Sequence, residues 1–421
     1  MIPPRSFLRS LVEQNFSTKK KFIPGRTAVP LAIPSFGSEE VTDALEVMLS
    51  GKVTMGERVR QFEGVFAKYV GVRHGIMVNS GSSANLVALT MLSNPERRDR
   101  IQPGDEIITP AVTWATTVFP ICNVGAVPVL VDVQRSSFNL DPSLIESAIT
   151  PRTKAIMLVH LLGTPCDMAK IMKIAKNHGL LVIEDSCEAH GAEFEGRKVG
   201  SFADASTFSF YLSHHITTIE GGMVMVNSDE DADIARAIRA HGWVREMQHK
   251  ERHTKRISGI DERFLFVTPG YNLRPMEIQG AFGVRQLPKL EGFIRDRQSN
   301  AEYFSAFLRR YGDLFDIPEL AFKGRQVWFG YPLSIGPGAG FSLAELRTYL
   351  ENKHIETRPI MAGNFAEQPV IHQIRHRIHR SLPVSEQVAR NSLFIGVHQG
   401  IGKIEREYVI ETIRRFVEEY S

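Results

Sequence analysis

Cysteine is scarce in this chain: Cys122, Cys166 and Cys187 are the only three in 421 residues, with no Cys-x-x-Cys pair and no histidine-rich tract. That spacing excludes a disulfide framework and offers no zinc site, so no metal is expected. A reducing compartment suits such a chain. Long apolar runs are missing too, none approaching the roughly 18 residues that span a bilayer, and Met1–Phe22 carries charge without an apolar h-region. The expectation is a cytoplasmic protein with no membrane partner. Charge of one sign is not in excess either, the formal net charge being +3. The basic runs Lys19-Lys20-Lys21 and Lys250 to Lys255 are short and lack interleaved aromatics, so nucleic-acid binding is not indicated.

What is present is the balance of an ordinary globular enzyme, 43% hydrophobic and 23% charged, with length for two or three structural units. From Gly75, short β-branched runs alternate with helical stretches, the pattern of an α/β sheet with crossover helices. The runs are Ile76–Val78, Glu106–Pro110, Val127–Val133, Ala155–Leu161, Leu180–Glu184, Thr207–Tyr211 and Met223–Val226, about seven strands. Helices are expected at Ser83–Leu92, Asp141–Ala148, Met168–Asn177 and Asp231–Ala240. Another starts after Ser38, read as its N-cap, and stops at Gly51. Gln248–Glu262 reads as a surface loop, and Pro288 should break the helical stretch that Pro275 opens. The expected organisation is an N-terminal arm over 1–28, a large domain over 29–300 and a small α+β domain over 301–421.

Four stretches carry chemistry. Asn79 to Asn85 joins a strand to a helix whose free N-terminal amides favour an anion such as phosphate, although a plain helix cap reads the same way. Trp114, just after the next strand, is either a stacking platform for a flat ring or a partly buried core residue. Asp185, ending an apolar strand in Glu184-Asp185-Ser186-Cys187-Glu188, is either a solvated cap or the counter-charge of a buried cation such as a protonated pyridine. Ser209 to Gly222 places polar residues at strand ends and includes adjacent histidines, His214 and His215. In this order the pieces describe a pyridoxal phosphate (PLP) site.

Glu184-Asp185, Gly200 to Phe210, Glu220-Gly221-Gly222 and Gly270 to Arg274 resemble the DegT/DnrJ/StrS sugar aminotransferase family, over about residues 28–421. The resemblance implies the type I aspartate aminotransferase fold, a large domain with a mixed sheet beside a smaller C-terminal domain. It implies that Ser82, Ser83 and Ser209 hold the cofactor phosphate and that Asp185 meets the pyridine nitrogen. Trp114 and Glu188 would pack on the ring and its edge. Asn272 would reach the phosphate of a neighbouring subunit, hence a homodimer.

One departure decides the expected activity. Ordinary members read roughly Ser-Phe-His-Pro-x-Lys where this chain has Ser209-Phe210-Tyr211-Leu212-Ser213-His214, and the lysine that tethers PLP is replaced by an imidazole. A histidine cannot make that link, so the cofactor should sit non-covalently, as the amine PMP, with His214 moving protons. The exchange resembles the sugar 3-dehydratases of the family, with Thr54 to Glu57, Ser213 to His215, Arg239 to Trp243, Arg358-Pro359, Gly363 to Phe365 and His398-Gln399. It implies removal of the C3 hydroxyl from a nucleotide-diphosphate 4-keto-6-deoxy sugar, GDP-4-keto-6-deoxymannose being the expected one and a CDP-sugar the alternative. L-Glutamate would restore PMP. His215, Arg358 and Asn364 are expected to contact substrate, His215 alternatively holding a backbone carbonyl, and His190 reads as a core histidine. Three scattered thiols fall short of the four that usually hold an iron–sulfur cluster, so none is expected. The rival readings are an aminotransferase using another lysine, Lys198 being the close one in sequence, and a regulatory homologue without catalysis.

Overall fold

The computed structural model describes residues 4–16, 21–254, 259–320 and 322–420. Lys19, Lys20 and Lys255 of the expected basic runs lie outside these residues. The seven β-branched runs form strands near their expected bounds: β1 His74–Val78, β2 Glu106–Pro110, β3 Val127–Val131, β4 Thr153–Val159, β5 Leu181–Asp185, β8 Ala205–Ser209 and β9 Gly222–Val226. A hairpin, β6 Glu193–Phe194 and β7 Arg197–Lys198, intervenes between β5 and β8. Further along lie β10 Phe315–Asp316, β11 Gly324–Arg325, β12 Tyr331–Ile335, β13 Thr357–Pro359, β14 Arg377–Ile378 and β15 Ser392–Ile395.

The main sheet has eight strands rather than seven, in the order β1-β9-β8-β5-β4-β2-β3-β14. The extra edge strand is two residues long and comes from the C-terminal part of the chain, so no run of its own announces it. Pairing is parallel from β8 to β14, while β9 runs antiparallel to both β1 and β8. Every residue of β2, β3 and β5 is buried. Parallel strands covered on both faces need apolar side chains throughout. Ligands of such sheets collect outside the carboxyl ends of the strands.

The helix after Gly37 spans Ser38–Ser50, one residue earlier than expected. Gly37 rather than Ser38 is its N-cap, because Glu40 reaches back and accepts the Gly37 N–H at 2.9 Å. Gly51 ends it with φ 69°, the left-handed conformation that glycine adopts without cost. The Gln248–Glu262 stretch contains a short helix, Glu251–Thr254, and is anchored where Asp233 accepts the amides of Gln248 and His249 at 2.7 and 2.8 Å. Pro288 breaks the helical stretch into Glu277–Gln286 and Leu290–Leu308, joined by a 3₁₀ turn.

The second of these helices runs through residue 301. Beyond it, a four-stranded sheet ordered β10-β12-β15-β13 packs with helices Leu343–Asn352 and Lys403–Tyr420 around Phe304, Tyr331 and Phe416. Val29, at the end of the N-terminal segment, bridges to Ile355 and joins that same core. Among the described residues no helix is long and apolar enough to cross a membrane.

Candidate active site

The ends of β1, β4, β5 and β8 open on a cleft of about 320 Å³. At its floor, Ser80 caps the helix Gly81–Leu92, its Oγ accepting the Ser83 N–H at 3.1 Å. Ser83 is spent on that cap and does not line the cleft, whereas Ser82 does. The cap leaves the amides of Gly81 and Ser82 at the positive end of the helix, beside the Ser209 hydroxyl. Gly81 is required for this approach, since a Cβ there would lie 2.4 Å from Ser209 Cβ. Gly222 is required on the other side, where a Cβ would lie 2.1 Å from the Ser80 carbonyl oxygen.

Strand alternation separates the two carboxylates of β5. Glu184 points away from the cleft and accepts from His160 Nε2 at 3.0 Å and from the amides of Gly200, Phe202 and Ala203 at 2.7, 2.8 and 3.0 Å. Asp185 faces the cleft. Its Oδ2 accepts from Asn85 Nδ2 and Thr117 Oγ1, both at 2.9 Å, and its Oδ1 from the Cys187 amide at 3.2 Å. All three donors are neutral, and among the described residues no cationic side chain pairs with this buried carboxylate. Asn85 is itself fixed, its Oδ1 accepting from Thr207 Oγ1 at 2.6 Å. Trp114, preceding the helix Ala115–Asn123, is 57% exposed on the rim, which excludes the core reading.

His214 lines the cleft with Tyr211 and Ser213. Burial, reinforced by the charge of Arg297, lowers its pKa to about 3, so the imidazole is a neutral base across the physiological range. Its Nδ1 has no hydrogen-bond partner. Glu188 lines the same cleft, with Oε2 accepting the Leu162 amide at 2.8 Å. Burial pushes its carboxyl up to about 8, against the lowering effect of that hydrogen bond and with a further push from Asp185.

A stability prediction follows from Glu188. Between about pH 4.3 and 8 the folded protein keeps a proton that the unfolded chain has released, so stability falls as pH rises through that window. Urea unfolding of the cofactor-free protein at pH 5 and pH 8 should show a larger loss for the wild type than for Glu188→Gln. Equal losses would refute the assignment.

The sequence profile of the DegT/DnrJ/EryC1/StrS aminotransferase family matches residues 34–414. The chain belongs to this family. GDP-4-keto-6-deoxy-D-mannose 3-dehydratase of Yersinia pseudotuberculosis is 38% identical over 373 residues, covering 88% of this chain and 94% of that protein. The E. coli GDP-4-keto-6-deoxy-D-mannose-3-dehydratase with bound hydrated PLP superposes with a TM-score of 0.85 at 35% identity, covering 94% of this chain and all of that one. A GDP-4-keto-6-deoxymannose-3-dehydratase with a trapped PLP–glutamate geminal diamine gives 0.84 at 37% identity, over 91% of this chain and 99% of the other. The fold is thus that of the type I PLP-dependent aminotransferases.

Not every residue that the family likeness nominates reaches the cleft. Arg358, on β13, lines it and has no carboxylate partner among the described residues. His215 does not line it: the ring is wholly buried and its Nε2 bonds the Val327 carbonyl oxygen at 3.0 Å, the alternative role considered for it. Asn364 is also buried away from the cleft, as the N-cap of the turn Phe365–Glu367, where its Oδ1 accepts the Ala366 amide at 3.1 Å. Asn272 lies on an exposed loop outside this chain's own cleft, its Oδ1 accepting from Arg274 Nε at 3.0 Å. Lys198 is on the β6–β7 hairpin, 4.0 Å from Glu193. Among the described residues no lysine lines the cleft.

Asn85, Thr117, Glu220 and Phe329 also line the cleft and were not among the sequence candidates. Asn85 had a visible signal, being an amide side chain set among Ala84, Leu86, Val87 and Ala88 in the helix Gly81–Leu92, where it is 2% exposed. Phe329 had none, because it arrives from the segment before β12.

Proposed function

We propose that this chain is a PLP/PMP-dependent 3-dehydratase of a nucleotide-linked 4-keto-6-deoxy sugar, with GDP-4-keto-6-deoxymannose as substrate and L-glutamate as the amino donor. The observation that carries the reading is the cleft wall at Ser213-His214: an imidazole stands where ordinary family members carry lysine, and among the described residues no lysine lines the cleft. The residues present fit the cofactor. Asp185 is a buried carboxylate furnished with neutral donors only, as the counter-charge of a protonated ring nitrogen would be. Gly81 and Gly222 let the Ser80–Gly81 turn pack between Ser209 and the start of β9, which sets the helix N-terminus beside the Ser209 hydroxyl as a phosphate site would need.

In this reading the amides of Gly81 and Ser82 and the Ser209 hydroxyl hold the cofactor phosphate, and Trp114 covers one ring face. When bound, the pyridoxamine form supplies an amine for the sugar C4 ketone and a ring that accepts electron density. Asp185 keeps the ring nitrogen protonated. His214, neutral and half-buried, takes up a proton at the reacting centre and delivers it to the departing C3 oxygen. Protonated Glu188 donates a hydrogen bond at the ring edge. Arg358, exposed and without a carboxylate partner among the described residues, offers its guanidinium fork to the carboxylate of L-glutamate or to the sugar diphosphate. Residues 29–300 would act as the cofactor domain, with 301–421 supplying Arg358 and Phe329 to the cleft.

The same reading includes a cytoplasmic homodimer in which Asn272 serves the neighbouring subunit's phosphate. Exposed Phe266, Tyr271 and Met276 flank Asn272 and support an interface there. The deciding assay supplies the protein with PLP, L-glutamate and GDP-4-keto-6-deoxymannose. Each turnover should consume one glutamate, release one 2-oxoglutarate and one ammonium ion, and leave a GDP-sugar lighter by one oxygen. Retention of nitrogen as an amino sugar would make the protein an aminotransferase and refute the reading.

A further inference from the structure

Behind His214 lies a charge that no described residue balances. Arg297, on the helix Leu290–Leu308, is 2% exposed, and no carboxylate pairs with it among the described residues. A buried guanidinium without a counter-charge is costly, so its retention needs a reason that a neutral donor would not meet. Its Nη1 donates to the carbonyl oxygens of Trp328 at 2.9 Å and Phe329 at 3.1 Å. Trp328 sits at φ 55°, a left-handed conformation that a tryptophan adopts only when its surroundings impose it.

The whole segment is tied down in the same way. The Val327 and Phe329 amides donate to the Gly163 and Leu162 carbonyls, each at 3.0 Å. The Val327 carbonyl accepts from His215 Nε2 at 3.0 Å, and the Gln326 carbonyl from Gln298 Nε2 at 2.9 Å. What this clasp presents to the cleft is the Phe329 ring, edge-on to the His214 imidazole at 5.2 Å between centroids and 80° between planes. An acid–base histidine is ordinarily oriented by a hydrogen bond to its second ring nitrogen. His214 Nδ1 has none, so packing must set the ring.

We propose that Arg297 is the positioning residue of His214, acting through the clasped Trp328–Phe329 backbone that seats Phe329 against the imidazole. The proposal rests on His214 being the proton carrier. The groups that face His214 are Arg297, His190 and His215 behind it and Tyr211 beside it, with Asp185, Glu188, Glu220 and Arg358 lining the same cleft. Of these, Arg297 is the one whose charge acts on His214 together with burial to keep the ring unprotonated, and it bears likewise on His190, His215 and His398.

The test compares wild type, Arg297→Gln and Phe329→Leu by ¹⁵N-histidine NMR of the cofactor-free protein and by turnover of the holoenzyme. In Arg297→Gln the His214 midpoint should move up in pH, and kcat should fall about 100-fold with little change in KM for L-glutamate. Phe329→Leu, which keeps the buried cation, should leave the midpoint in place and lower kcat about 10-fold. The NMR arm needs neither cofactor nor substrate, so an inactive wild type would sink the dehydratase reading while still reporting on Arg297. A folded Arg297→Gln protein with unmoved His214 resonances and wild-type kcat would overturn the proposal. Should that variant not fold, wild-type kcat in Phe329→Leu would overturn it instead.

Discussion

His214→Asn is expected to slow dehydration by about 1,000-fold while the protein still purifies with, or takes up, its cofactor. Asparagine fills much of the imidazole's volume but cannot carry a proton at neutral pH. The groups that would retain the cofactor, Ser209, Asp185 and the amides of Gly81 and Ser82, belong to other elements and are untouched. Steady-state turnover beside a count of bound cofactor per chain separates the two effects. Turnover within tenfold of wild type would remove His214 from the chemistry. Loss of the cofactor would show that the imidazole holds it.

Asp185→Asn should be nearly as damaging, by about 100-fold or more in turnover, for an electrostatic reason. The carboxylate is surrounded by Asn85, Thr117 and the Cys187 amide, all of them donors. An asparagine there turns one donor towards another, and the charge that would keep a ring nitrogen protonated is gone. Thermal unfolding of the cofactor-free variant isolates the packing effect, and turnover of the loaded protein reads the electrostatic one. If Asp185→Asn turned over like the wild type, the ring nitrogen would need another partner.

The legible parts of the site were those carried by one local rule. Asp185 closes a run of four apolar residues and Glu184, so strand length alone puts it at the carboxyl end of β5, and Ser82 follows a strand and opens a helix. Trp114 was ambiguous between core and rim, and its exposure resolved it. The residues that escaped were those whose role needs two distant stretches to meet. Asn85 and Thr117 converge on Asp185 from separate helices, and Phe329 meets His214 from a segment whose backbone is bonded to Arg297 and Leu162. For His215 and Asn364, a position next to site residues was a poor guide, since both side chains turn inward to bond backbone groups. The same limit applies to the fold. Seven strands announce themselves by β-branched runs, whereas Arg377–Ile378 joins the sheet only through tertiary pairing with Val129 and Leu130.

The central claim is that the coenzyme is held without a covalent bond to the chain. Borohydride reduction of the resting, PLP-loaded protein followed by peptide mass spectrometry tests it most directly. The account predicts unmodified lysines throughout and release of all the coenzyme on denaturation. A reduced pyridoxyl group on any lysine, Lys198 included, would contradict it.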